Sequence, residues 1–186
     1  MKHRLILASK SPRRQELLSK LDLQFDVKVK SIDERYPPHL PKNEIAEYLA
    51  VEKSSAFGKI TDDELIITSD TTVVFENSLL EKAETKVEAR TMLKKLSGQS
   101  HEVITGVCLR SKDKQLSFSE TTKVKFSELS IKQIDYYIET YQPFDKAGAY
   151  GIQEWIGMVG VEKIEGDFYN VMGLPLHRLY QELTSF

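Results

Sequence analysis

Residues 65–75 read LIITSDTTVVF, and the fold is decided by how this stretch is read. It is apolar and β-branched at both ends and polar in the middle, the pattern of a central strand. Asp70 falls at its midpoint, between Ile66-Ile67 and Val73-Val74-Phe75. Carboxylates are depleted from strand interiors, and an uncompensated buried one is costly. Asp70 therefore needs a cation, a metal or a cap; the plainer alternative ties it to backbone groups at a strand end.

Outward from that strand, elements alternate. Residues 4–9 form a short apolar run that reads as a buried strand, and Ser11-Pro12 is a helix start, with serine as cap and proline at the first helical position. Residues 25–29 (FDVKV) alternate as a second strand. Asn43 is placed to cap a helix whose apolar face includes Ile45, Leu49 and Phe57. Beyond the central strand come a charged helix over 86–96, stopped at Ser97-Gly98-Gln99, and two strands over 101–110 and 116–126. Ser130 caps a helix that ends near Tyr141, residues 147–151 (AGAYG) form a loop, 159–164 a strand, and 174–183 a closing helix. This order predicts one α/β domain over residues 1–186, with a mixed twisted sheet flanked by helices.

Composition removes several classes. The net charge of −2 offers no sequence-independent grip on nucleic acid polymers or anionic membranes, so any phosphate-binding charge has to be local. No stretch approaches the roughly 20 apolar residues of a membrane span, and the apolar run at residues 5–8 is too short for a signal peptide. Cys108 is the single cysteine, which excludes an internal disulfide and suits a reducing, cytoplasmic setting; lying between Val107 and Leu109, it reads as a small core residue. There is no P-loop, no G-x-G-x-x-G and no H-E-x-x-H, and four scattered histidines do not suggest zinc.

Other segments carry possible chemistry. In residues 9–14 (SKSPRR) a strand passes into a helix, so free backbone N–H groups and the positive dipole end point outward. Arg13 and Arg14 oppose that dipole unless an anion sits there; an ordinary surface helix is the alternative. Asp33-Glu34, Lys53 and Lys82 are unremarkable singly. In residues 150–153 (YGIQ), Gln153 offers a side-chain amide that could read a base edge by paired donor and acceptor, or could simply lie on a loop.

Taken in order, LILASKSPRRQELL (5–18), SIDE (31–34), SDTTVV (69–74), LSGQSHEVITGV (96–107), DKAGAYGIQ (145–153) and GDFYNVMGLPL (166–176) resemble the Maf family of nucleotide pyrophosphatases. One such motif is unspecific; six in family order along nearly the whole chain are not. The resemblance implies an inosine-triphosphatase-like fold with two lobes around a cleft, and a homodimer. It implies hydrolysis of a nucleoside triphosphate between the α- and β-phosphates with a divalent metal, Mg²⁺ or Mn²⁺. On this pattern Asp70 is the proton acceptor, Arg13, Thr71 and Gln153 mark substrate choice, and Ser9, Arg14, Glu34, Lys53 and Lys82 line the cleft. Ser9, Arg13 and Arg14 would cradle phosphate, Lys53 and Lys82 would stabilise leaving pyrophosphate, and Glu34 with Asp70 would hold metal. SPRR, DT and YGIQ resemble the branch acting on dTTP and UTP. Modified nucleotides, or a regulatory nucleotide-binding role in septum formation, are the alternatives. Three residues depart from the pattern: Glu81 and Ala83 stand where the family has glycine and proline around the lysine, and Glu154 where glycine more often follows the glutamine.

Overall fold

A computed structural model describes residues 3–186. The strands are β1 (Arg4–Leu7), β2 (Phe25–Val27), β3 (Glu64–Phe75), β4 (Ser78–Leu79), β5 (Ser100–Arg110), β6 (Gln115–Phe126) and β7 (Val161–Glu165). The helices are α1 (Pro12–Ser19), α2 (Ile45–Ser55), α3 (Lys86–Leu96), α4 (Ile131–Tyr141), α5 (Trp155–Gly160), α6 (Phe168–Met172) and α7 (Leu176–Ser185). The sheet is mixed, in the order β2-β1-β3-β5-β6-β7, with β4 paired to β3. β1 runs parallel to β2 and β3, whereas β3, β5, β6 and β7 are successively antiparallel.

The 65–75 strand is central as expected, and its polar middle divides the core. Leu65 and Ile67 pack with Leu5, Leu17, Val107 and Leu179, which joins α1, α7 and the parallel part of the sheet. Val73 packs with Val103, Leu93, Phe126 and Tyr137 under α3 and α4. Between these cores the sheet is also incomplete along one edge. β1 pairs with β3 only as far as Ile67, β4 takes over only at Val74, and residues 68–72 have a strand partner on the β5 side alone. The centre of the sheet is thus polar and has an open edge.

Helix α2 covers the other face. Thr68 Oγ1 donates to the Ala50 carbonyl at 2.6 Å, stitching α2 to β3. Gly106, directly opposite Asp70 on β5, lets the helix come this close: a Cβ there would lie 2.2 Å from the Glu47 nitrogen. Cys108 is buried, as predicted.

Several boundaries differ from the sequence reading: the strands expected over 4–9 and 25–29 each end two residues early, at Leu7 and Val27. α2 is preceded by Glu44 without a side-chain cap, so Asn43 does not cap it, and Phe57 lies past its end, packed near Ile6, Ile60 and Ile66. The expected strand over 159–164 starts only at Val161, because residues 155–160 turn as α5 and Gly160 sits against Phe126 and Leu129. The closing helix starts at Leu176, after Pro175. The short α6, capped by the Asp167 carboxylate and ended by Gly173 at φ +110°, was not expected from the apolar periodicity. Among the described residues no helix is long and apolar enough to cross a membrane.

Candidate active site

The open edge of β3 forms the floor of a cleft of about 480 Å³, within the size range of small-ligand sites. Every residue given a site role by the family resemblance reaches it: Ser9, Arg13, Arg14, Glu34, Lys53, Asp70, Thr71, Lys82 and Gln153 all line it. Lys10, Lys30 and Lys146 join them, so seven cationic side chains face three carboxylates, Glu34, Asp70 and Asp145. A chain of net charge −2 has gathered a local cationic excess, as the composition required of any phosphate site.

At the centre, Lys53 from the last turn of α2 stands between two carboxylates. Its Nζ lies 2.5 Å from Asp70 Oδ1 and 2.8 Å from Glu34 Oε1. Lys53 and Asp70 keep 15% and 13% of their side-chain surface, so this is a largely desolvated pair at a cleft wall. The cation demanded by Asp70 is therefore a lysine brought in by α2, and among the described residues no backbone group donates to its carboxylate. Glu34 is half-exposed; burial pushes its pKa up, but the Lys53 hydrogen bond and the charges of Lys53, Lys82 and Arg14 outweigh that and hold it below the usual range.

The β1–α1 junction supplies the next wall. Ser9 is buried and its Oγ accepts the Ser11 N–H, while Ser11 Oγ caps α1 by accepting the Arg14 N–H. The two arginines then diverge. Arg13 Nη1 reaches across the cleft to donate to Asp145 Oδ2 at 2.6 Å. Arg14 turns under the floor, where Nε donates to the Gly173 carbonyl, Nη1 to the Ser69 carbonyl and Nη2 to Thr71 Oγ1, each at 2.8–2.9 Å. It fills the gap between β1 and β4 and satisfies the Ser69 carbonyl on the open edge of β3. Burial pulls its pKa down against the opposing charge of Asp70, yet a guanidinium keeps its proton. Thr71 is held from its other side by Thr105 Oγ1 at 2.9 Å.

Lys82 sits on an exposed segment that pairs with Ala147, and Gly148 N–H donates to the Leu80 and Glu81 carbonyls. Backbone pairing stiffens this loop without the family's glycine and proline; Ala83 is buried in the core, and Glu81 is exposed and forms no salt bridge among the described residues. Gln153 is half-buried, and its amide has no intramolecular hydrogen bond among the described residues, which leaves it available to a ligand. Sequence reasoning missed Asp145, Lys146 and Thr105. The first two lie in a motif quoted above, but an adjacent acid and base carry no signal until the Arg13 contact is seen.

A metal can be tested against these donors. Glu34 and Asp70 each have an oxygen within 2.8 Å of Lys53 Nζ, so a metal shared by these carboxylates would have to sit beside the ammonium that already occupies the point between them. No group of three or more His, Cys, Asp or Glu is placed to hold a metal among the described residues. Two hard carboxylates completed by phosphate oxygens are a set that suits Mg²⁺ or Mn²⁺.

Known proteins place the chain. Residues 4–186 match the family model described as Maf-like protein. The chain is 53% identical to the dTTP/UTP pyrophosphatase of Phocaeicola vulgatus, over 99% of this chain and 96% of that protein. It is 51% identical to the dTTP/UTP pyrophosphatase of Parabacteroides distasonis, over 100% and 97% respectively. Among solved structures, a HAM1 protein from Coxiella burnetii superposes with a TM-score of 0.53 at 17% identity, covering 99% of this chain and 100% of that one, which shows a shared fold. With its motifs in family order, a full-length match and half its residues shared with such relatives, the chain belongs to the Maf family.

Proposed function

We propose that this protein hydrolyses nucleoside triphosphates, dTTP and UTP foremost, to the monophosphate and pyrophosphate. The observation that carries the reading is the Lys53 ammonium held between Asp70 and Glu34 in a cation-rich cleft. The names of the relatives, both dTTP/UTP pyrophosphatases, support the substrate class.

Catalysis of this kind is mostly positioning and charge stabilisation. The α1 start, with Ser9 and Arg13, binds the phosphate chain, and Arg14 contributes by holding the floor beneath it. Water attacks the α-phosphorus, the bond from that phosphorus to the bridging oxygen breaks, and pyrophosphate leaves against Lys53 and Lys82. The water proton passes to Asp70 Oδ2, the oxygen that Lys53 does not engage. Glu34 and Asp70 would hold Mg²⁺ or Mn²⁺, which when bound neutralises phosphate charge. Gln153 meets the base. A cytoplasmic homodimer, read by sedimentation, belongs to the same proposal.

Pyrophosphate release across a panel of triphosphates, with and without divalent metal, tests the reading. Release from dTTP and UTP above the others is expected, and Asp70→Asn should lower kcat by about 10²-fold or more with the fold intact. No release from any nucleotide overturns the enzymatic reading in favour of regulatory binding. Near-normal activity in Asp70→Asn removes Asp70 as proton acceptor.

A further inference from the structure

Gln153 lies between two residues tied to one buried hydroxyl. Tyr137, fully buried on α4, donates its hydroxyl hydrogen to Glu154 Oε2 and accepts the Gly151 N–H at 2.9 Å. The other Glu154 oxygen is 3.1 Å from Lys146 Nζ, and that ammonium also meets Asp145 Oδ1 at 2.7 Å. Asp145 in turn holds Arg13. A continuous set of charge-assisted contacts therefore runs from the core of α4, around both sides of Gln153, to the first turn of α1.

Two details show that the loop is built around this set. Glu154 occupies the position before α5 but makes no side-chain cap bond; its carboxylate turns inward to Tyr137 and Lys146 instead. Glycine at 151 leaves room for the same set, since a Cβ there would lie 2.8 Å from Glu154 Cδ and 3.0 Å from Lys146 Cε and both side chains would have to shift. Side chains buried to this degree are confined to single conformations by their partners. The backbone that carries Gln153 is thereby placed between two fixed neighbours, which sets where its free amide can meet a base edge.

We propose that Tyr137 and Glu154 are positioning residues that set the base preference of the cleft by fixing the loop backbone that carries Gln153 relative to Arg13. The proposal rests on the pyrophosphatase reading and on Gln153 meeting the base. Loosening the loop lets Gln153 shift and accept the wrong base edge, while the phosphate-binding wall on α1 and β3 stays in place.

Steady-state kinetics on pyrimidine and purine triphosphates with Tyr137→Phe and Glu154→Ala test it. Both should cut the ratio of kcat/KM between the preferred pyrimidine and a purine by about tenfold, through KM, with kcat on the preferred substrate within about threefold. Glu154→Gln, which keeps an acceptor for the tyrosine hydroxyl, should recover most of the ratio. An unchanged ratio accompanied only by a lower Tm, or an equal loss for every nucleotide, overturns the proposal. Should Tyr137→Phe fail to fold, the two Glu154 variants on the loop decide alone. If the unmodified chain releases no pyrophosphate, the activity reading fails first and takes this one with it. Normal hydrolysis with unmoved selectivity in the variants removes only this one.

Discussion

The two ends of the cleft are built differently. At the phosphate end the functional groups ride on regular elements: Ser9 and Arg13 on the β1–α1 junction, Asp70 in β3 and Lys53 in α2. At the base end Gln153 sits on a loop without regular hydrogen bonding, placed by Tyr137, Glu154 and Lys146. Strands and helices fix most of the first end, with Glu34 and Lys82 on segments beside them, and side-chain contacts fix the second. The first end is therefore suited to what all triphosphates share, and the second to the base that distinguishes them.

That division predicts that variants at the phosphate end lose rate without losing preference. The largest effect is expected for Lys53→Met, which leaves Asp70 and Glu34 without their shared cation. Turnover should fall by about 10²–10³-fold for every nucleotide, with base ratios unchanged; a shift in the ratios would break the distinction. Gly106→Ala comes next. The Cβ clash 2.2 Å from the Glu47 nitrogen must push α2 off the sheet, and about 3 kcal/mol of stability should be lost in denaturant titration. Activity should drop evenly across nucleotides, because α2 carries Lys53.

The smallest effect lies behind the base end. His101 is buried against Phe126, with Nε2 2.6 Å from the Tyr150 hydroxyl, and burial lowers its pKa from 6.5 to about 4. Below pH 6.5 the unfolded chain takes up a proton that the folded one refuses. Stability therefore falls as pH drops through that window, by roughly 2 kcal/mol near pH 5. His101→Gln should flatten this slope in thermal melts while leaving the effects of Lys53→Met untouched. A slope that persists would assign the acid sensitivity to other groups.

The same contrast explains what was legible in the sequence. The strand at 65–75, the helix from Pro12 and the helices over 86–96 and 131–141 could be placed because periodicity and capping are local. Asp70 stood out because a carboxylate in an apolar strand violates a local rule. Its partner did not: Lys53 is 17 residues away, and only the Gly106 gap brings α2 to it. The different tasks of Arg13 and Arg14 were also hidden, since adjacent residues on a helix point apart and only the fold says what each meets. The base end was least visible, because Lys146 and Glu154 follow no period, Tyr137 reads only as part of the buried face of α4 with Ile134 and Ile138, and all three acquire meaning from contacts with one another. Asp167 and Gly173 carried cap signals for α6 that the apolar pattern masked.

Arg14 has one more consequence. An unpaired strand edge is a template on which another chain can add a strand, and proteins cover or charge such edges. Residues 68–72 of β3 form such an edge inside the molecule, and the Arg14 guanidinium lies along it, donating to Ser69 and Thr71. The residue that completes the cleft floor therefore also covers a backbone carbonyl of that edge, and a chain without it has a bare stretch of strand as well as an incomplete floor.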